Sequence, residues 1–166
     1  MMNGDMKAYI VMAMEPEKDC IAPQQMVDAL ADADFTVVMG CFDSPTVNEY
    51  ADVVLPVGTY FETAGSAVNT EGNWQSFKGV VAPVGDARPA WKVLRVLGNL
   101  LDATGFEYMS VDEVTTEVKT ASEGVSADNS MSYSAVTADA DASGLTRIVS
   151  FPAYSINAMV RRSETL

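Results

Sequence analysis

Glu62 and Glu71 stand nine positions apart in "ETAGSAVNTEGNWQSF", a stretch crowded with amides, aromatics and glycines. Two carboxylates held together can divide acid and base work between them. They lack company, however: no nucleophile with a base beside it accompanies the pair, and the chain contains no histidine, which removes the usual general base and the commonest metal ligand. An ion pair between Glu71 and Lys78 accounts for one of the two acids without chemistry. Gly58, Gly65 and Gly72 let the backbone come close to something, a ligand or another chain segment, and turn formation is the commoner use. Trp74, Phe77 and Trp91 could stack a ligand, but aromatics more often pack a core or an interface. Cys41 follows an apolar run, where a catalytic thiol could sit, yet no histidine is present to activate it.

Other motifs carry less. Neither a G-x-G-x-x-G after a strand nor a G-x-x-x-x-G-K-[ST] occurs, so both nucleotide fingerprints are missing. "DADASG" (139–144) imitates the first half of a calcium-binding loop, with Asp139, Asp141, Ser143 and Gly144 in step. The position that needs a bidentate Glu is Ser150, so a solvated loop is the better account. Arg161 and Arg162 could bind an anion or make structural pairs, and the latter is favoured in so acidic a chain. Cys20 and Cys41 form no C-x-x-C and no four-ligand set, so this chain alone holds no structural zinc or iron–sulfur cluster. Two reduced thiols are the expectation over a lone disulfide.

The elements that would position these residues can be read from the pattern. With 166 residues, 48% of them hydrophobic, the chain has enough for one core and an appendage. Ten Lys plus Arg against 23 Asp plus Glu give a net charge of −13, which argues against a nucleic-acid surface. No apolar run approaches the roughly 18–20 residues that cross a bilayer, and the start lacks the basic region of a secretory signal. Strand-like sequence so close to Met1 suits a piece of a longer chain. "KAYIVMAM" (7–14), "FTVVMGCF" (35–42) and "DVVLP" (52–56) read as buried strands, with Pro56 ending the third. Helices are expected over 22–34, opened by Pro23, and over 43–51, capped by Asp43 or Ser44. Strands alternating with helices predict a parallel sheet covered on both faces. Residues 58–85 break that rhythm with a long aperiodic loop. The helix expected over 88–105 puts Ala90, Val93, Leu94, Leu97, Leu100 and Leu101 on one face, with Gly105 to close it. A further helix over 110–121 has Ser110 and Glu113 spaced as a capping box. Three regions result: an α/β domain over 1–120, a flexible acidic Ser/Ala-rich loop over 121–145, and a strand (145–151) with a docking segment over 146–166.

At "ADVVLPVGTYFETAGSAVNTEGNWQSF" (51–77) the chain resembles the molybdopterin oxidoreductase superfamily. The pattern there is close to A-D-V-V-L-P followed by E-x-x-G-x-x-x-N-x-E-G-R-x-Q. Ala51 to Pro56, Glu62, Gly65, Asn69, Glu71, Gly72 and Gln75 match; Asn73 stands in place of the Arg. The resemblance covers about residues 8–118 and implies a Rossmann-like three-layer α/β domain with a parallel sheet, followed by an irregular C-terminal segment. The ending "FPAYSINAMVRRSETL" is similar to one branch, the large iron–sulfur subunit of NADH:quinone oxidoreductase, respiratory complex I. Members there often carry Y-x-x-D-A-x-V-R-R-x-x-x-L, and Asn157 replaces the Asp. That branch implies a structural and interaction portion with no catalytic residue, metal or cofactor of its own. Its iron–sulfur clusters are expected in N-terminal sequence outside this chain, its partners are the other peripheral-arm subunits, and its place is peripheral, on the cytoplasmic side of the bacterial inner membrane. The alternative is a portion of a true molybdopterin enzyme of formate dehydrogenase or nitrate reductase type. In that case Glu62, Asn69, Glu71 and Gln75 would line the cofactor.

Overall fold

The computed structural model describes residues 6–126, 128, 130 and 152–163. These belong to two compact units, Met1–Asp128 and Asn129–Leu166. The strand expected over 145–151 and the calcium-like "DADASG" lie outside the described residues, as does most of the acidic loop.

The first unit is built on a parallel three-stranded sheet in the order β1 (Ala8–Met12), β2 (Phe35–Gly40), β3 (Val53–Pro56). Its register sets Val11 beside Val38 and Val38 beside Val54. The β-branched runs that predicted these strands fill it, because such side chains suit a pleated surface. Alternation then divides the residues between two faces. On one face Val11 and Val38 join Val27 and Leu30 of α2 (Pro23–Ala31) and Val47 and Tyr50 of α3 (Val47–Tyr50) in a single buried cluster. Each fully buried Val or Leu contributes about 1.5–3 kcal/mol relative to exposure. The other face carries Ile10, Met12, Phe35 and Val53, all substantially exposed, around a fully buried Met39.

Two polar devices tie β2 to its neighbours, β3 on one side and α2 on the other. Asp52 Oδ2 accepts the Thr36 amide at 2.6 Å while the Asp52 amide donates to the Thr36 carbonyl. The Thr36 hydroxyl, fully buried, donates to the Leu30 carbonyl at 3.2 Å and so is not left unpaired in the core. The "ADVVLP" motif thus docks β3 against β2 through its Asp. Beyond Pro56, Val57 bridges Arg88 in parallel, which extends the sheet by one short contact before α4 (Ala90–Leu100).

Several expectations change at element ends. Neither Asp43 nor Ser44 caps α3; the helix begins later, after Thr46, and its cap residue makes no side-chain bond. The Ser44 hydroxyl turns away to Glu17. Gly105 does not close α4. The helix stops at Leu101 because Asp102 takes a left-handed φ of 52°, and the Ala103 amide reaches back to the Gly98 carbonyl at 2.9 Å. This is the hydrogen-bonded C-terminal stop that Gly usually makes, here supplied by Asp. The apolar face of α4 also fades: Leu100 and Leu101 are exposed. Gly98 is the buried residue of the last turn, because the Phe106 ring occupies the space into which a Cβ would project.

α5 (Val111–Ala121) follows its prediction. The Ser110 hydroxyl accepts the Glu113 amide at 3.3 Å, and Glu113 Oε2 accepts from the Met109 amide at 2.7 Å, one residue ahead of the usual capping-box partner. The aperiodic loop over 58–85 contains two strands the pattern did not disclose, β4 (Gly65–Val68) and β5 (Trp74–Phe77), paired antiparallel as a hairpin. In the second unit a single turn of helix, α6 (Ala153–Ile156), precedes a 3₁₀ turn over Val160–Arg162. Among the described residues no helix is long and apolar enough to cross a membrane.

Candidate functional site

The motif residues over 62–75 fall into two separate hydrogen-bond networks. Glu62 clamps the root of the hairpin. Its Oε2 accepts from the Thr59 amide at 2.8 Å and the Thr59 hydroxyl at 2.9 Å, and its Oε1 accepts from the Val84 amide at 3.1 Å. These bonds, those of Thr59 first, hold the carboxyl below its ordinary range. The carboxylate ties the turn at 59–62 to the irregular segment after β5, which is also fastened by the Val80 and Val81 amides on the Phe61 carbonyl. Gly79 suits that closeness, since a Cβ there would lie a tight 3.1 Å from the Thr63 nitrogen.

Asn69 organises the other network, at the hairpin tip. Its Oδ1 accepts the amides of Glu71 and Asn73 at 3.0 and 2.9 Å, as an Asx turn does. The Gly72 amide donates to the Asn69 carbonyl, and Gly72 itself sits at φ +82°. A β-turn followed by a left-handed glycine is a favoured three-residue hairpin connection. Glu71 Oε2 accepts from Asn73 Nδ2 at 3.1 Å, in place of the ion pair with Lys78 that its charge suggested. Gln75 faces outward, opposite Ala67 in the ladder. Gly65 pairs with Phe77, and the ring covers it so closely that a Cβ would lie 2.7 Å from Cζ. Every matched position from Gly65 to Gly72 therefore has a local reason in the hairpin.

The aromatics likewise find partners within the unit. The Phe77 ring meets Tyr60 edge-on at 6.2 Å, and Lys119 Nζ of α5 lies 5.4 Å from the Trp74 ring centre. Lys92 sits over Trp91 at 5.5 Å. Cys41 Sγ lies 3.4 Å from the Gly58 carbonyl, and burial, with the Glu62 charge adding to it, pushes the thiol up. An activated nucleophile needs the opposite shift. The two thiols are not joined.

A further group of polar residues collects where the parallel strands end, the usual place for ligands in open α/β sheets. β1 leaves the sheet through Ala13, which adopts φ 52°, and delivers Glu15 and Glu17 at and within α1 (Pro16–Asp19). Glu17 Oε1 accepts from the Ser44 hydroxyl at 2.9 Å, and Lys18 Nζ pairs with Glu15 Oε2 at 3.1 Å. Tyr50 of α3 lies against the same turn, with burial and then the charges of Glu17 and Glu15 pushing its hydroxyl up to about 12. Sequence inspection missed this group. The available signal was "EPEKD" directly after one predicted strand and "DSP" directly after the next, two strand-ending turns that a parallel pairing must bring together.

Arg161 and Arg162 in the second unit serve their own turn. Arg161 Nη1 donates to the carbonyls of Ser155 and Ile156, and Arg162 Nη1 to that of Ala158. Asn157 Oδ1 accepts the amides of Met159 and Val160 at 3.0 and 3.1 Å, an acceptor role that a side-chain oxygen at the start of a helical turn fills. No group of three or more His, Cys, Asp or Glu suited to a metal ion occurs among the described residues.

Comparison with known proteins gives these networks a family. The assimilatory nitrate reductase catalytic subunit of Bacillus subtilis (strain 168) is 30% identical over 129 residues, 77% of this chain and 18% of the relative. The mitochondrial NADH dehydrogenase [ubiquinone] iron-sulfur protein 1 of Solanum tuberosum is 31% identical over 131 residues, covering 72% of this chain and 18% of the relative. A putative formate dehydrogenase of Bacillus subtilis (strain 168) is 31% identical over 116 residues, 70% of this chain and 12% of the relative. The chain thus spans less than a fifth of the length of each of these relatives. The molybdopterin oxidoreductase family model matches residues 1–100, taking in the whole parallel sheet and the hairpin, and the chain belongs to that family.

Proposed function

We propose that this chain is a structural and interaction portion of the large iron–sulfur subunit of an NADH:quinone oxidoreductase. It supports electron transfer within that assembly without itself holding a redox centre. The observation that carries the reading is the use of the motif residues. Glu62, Asn69 and Glu71 spend their side-chain oxygens on Thr59, Val84, Glu71, Asn73 and the turn between them. They build a hairpin and its root, and Asn73 contributes no cation.

The donor set also fits an anionic pterin dinucleotide poorly. A phosphorylated ligand needs Arg, Lys or free backbone amides, and the amides at the hairpin tip are already bonded to Asn69. At the carboxyl end of the sheet such a ligand would meet Glu15 and Glu17, with Lys18 already on Glu15. The ending that holds Asn157, Arg161 and Arg162 is similar to that of the complex I branch and supports this reading. On this reading the partners are other peripheral-arm subunits, and the location is peripheral, on the cytoplasmic side of the bacterial inner membrane.

A second reading rests on the relatives: the nitrate reductase matches as large a share of the chain at comparable identity. The chain would then belong to a molybdopterin-dependent enzyme, with Glu62, Asn69, Glu71 and Gln75 on the cofactor side. Metal analysis of the full-length parent protein separates the two. Molybdenum and tungsten below one-tenth of stoichiometric are expected, and one atom of either per chain would overturn the scaffold reading.

A further inference from the structure

The two longest helices of the first unit bury almost none of their apolar stripe. In α4, Ala90, Val93, Leu94 and Leu97 recur at helical spacing but are only half-buried, and Gly98 is its one buried residue. α5 repeats the pattern with Val111, Val114 and Val118 and has no buried residue. Helices of 11 residues owe most of their stability to a covered face. The uncovered surface runs across the joint between them. The loop over 102–109 is fastened to α4 by the Ala103 amide on the Gly98 carbonyl, by the Phe106 ring over Gly98, and by Arg95 Nη1 on the Tyr108 carbonyl at 2.7 Å. It is fastened to α5 by the Tyr108 hydroxyl on Glu117 at 2.6 Å and by the Met109 amide on Glu113 at 2.7 Å. Leu100, Leu101 and Met109 stand on this joint 76%, 70% and 78% exposed. Large apolar side chains gathered in the open mark an interaction site more often than isolated ones do.

The charge around the joint is one-sided. Asp102, Glu107, Asp112, Glu113, Glu117 and Glu123 are set against a single cation in that span, Lys119, which lies over the Trp74 ring. Among the described residues none of these carboxylates makes an ion pair, and the donors on Glu113 and Glu117 are uncharged. We infer that the joint is a docking surface for a basic amphipathic segment of a partner polypeptide. Its apolar side chains would cover Leu100, Leu101 and Met109, and its Lys or Arg side chains would answer the surrounding acids. The apolar contact supplies the attraction and the charges select the partner. Nucleic acid and anionic lipid are repelled by the same acids, and a second copy of the chain would bring its own net charge of −13 against them. The inference rests on the interaction role proposed above, yet it fails separately: metal content of the parent protein decides that role, and peptide binding decides this surface.

The test titrates the full 166-residue chain, labelled for NMR in dilute buffer, with the helical peptide acetyl-Leu-Lys-Lys-Leu-Leu-Lys-Leu-Leu-Lys-Lys-Leu-Leu-Lys-Leu-amide. One control peptide replaces every Lys by Glu, and the other replaces every Leu by Gly. The expected result is saturable shifts at the Leu100, Leu101 and Met109 signals with the basic amphipathic peptide and none with either control. Leu100→Gln combined with Leu101→Gln should weaken binding by about tenfold or more; both side chains are already exposed, so the fold does not depend on them. Glu107→Gln combined with Asp112→Asn, two exposed acids, should weaken it about threefold, an effect that fades as salt is raised. Glu49→Gln, exposed on α3, should bind like the parent chain. The inference is overturned if the basic peptide gives no saturable shifts at these residues, if either control binds there equally well, or if both double variants bind like the parent. Shifts confined to Ile10, Met12, Phe35 and Val53 would move the binding to the sheet face and overturn it too. So would shifts at the joint on concentrating the chain alone, which would assign the surface to a second copy.

Discussion

Replacing Glu62 by Gln tests the hairpin root most directly. The parent carboxylate accepts three hydrogen bonds, two on one oxygen and one on the other. A glutamine of nearly the same shape keeps one accepting oxygen and presents an N–H₂ in place of the second. Either the Thr59 pair or the Val84 amide must then face another donor. A hydrogen bond to a charged group contributes about 1.5–3 kcal/mol, and because the site is partly open to water the expected loss is about 1–2 kcal/mol. Confined to the loop, that corresponds to roughly 5–30-fold faster hydrogen exchange at the Thr59 and Val84 amides, with little change in the parallel sheet. The pH dependence has a definite sign. The folded-state carboxyl is held below its ordinary value of 4.5, so its contribution is fully present above that value and is lost as pH falls through the lowered one. Glu62→Gln should remove that part of the acid limb. It should also let the Cys41 thiol ionise more readily, since the Glu62 charge helps push it up, so Cys41 should react faster with a thiol reagent at fixed pH. Unchanged exchange at Thr59 and Val84, together with an unchanged acid limb, would refute the assignment of Glu62 as the clamp.

Three other substitutions probe the remaining supports. Gly98→Ala drives a Cβ into the Phe106 ring and should destabilise by about 1–3 kcal/mol, seen as a lower urea midpoint; a midpoint equal to the parent's would mean that Phe106 does not pack there. Asn69→Ala removes the acceptor of two backbone amides and should cost about 1–2 kcal/mol locally, read as loss of the β4–β5 cross-strand NOEs while those between β1 and β2 persist. Asn73→Arg restores the residue common in the family pattern on an exposed tip where Glu71 can still be its partner, so thermal stability should stay within about 0.5 kcal/mol.

The parallel sheet was legible because "FTVVMGCF" and "DVVLP" are apolar, β-branched runs ended by clear punctuation, and burial enforces such runs. The helix over 110–121 was legible for a local reason, a Ser and a Glu three residues apart. The hairpin was not, because β4 and β5 are four residues each and mostly exposed, so no hydrophobic alternation marks them. What specifies them is Gly65 beneath Phe77 and Asn69 folded over its own turn, interactions that residue types alone do not announce. Ser44 looked like a helix cap because capping is local, whereas its actual acceptor, Glu17, is 27 residues away. The same non-locality hid the group around Glu17. Its bond with Ser44 follows only once β1 and β2 are known to be parallel neighbours.

The partly uncovered sheet face bears on how the isolated chain behaves in solution. Ile10, Met12, Phe35 and Val53 form an apolar surface on strands whose kind is normally covered on both sides. Against that attraction stands a net charge of −13, which holds molecules apart at low ionic strength. Raising salt shortens the reach of that repulsion, to about 3 Å at 1 M, while leaving the apolar surface as attractive as before. The expected behaviour is that of a colloid stabilised by charge over a sticky face: light scattering should rise as salt is raised from dilute buffer, and a flat signal would refute it.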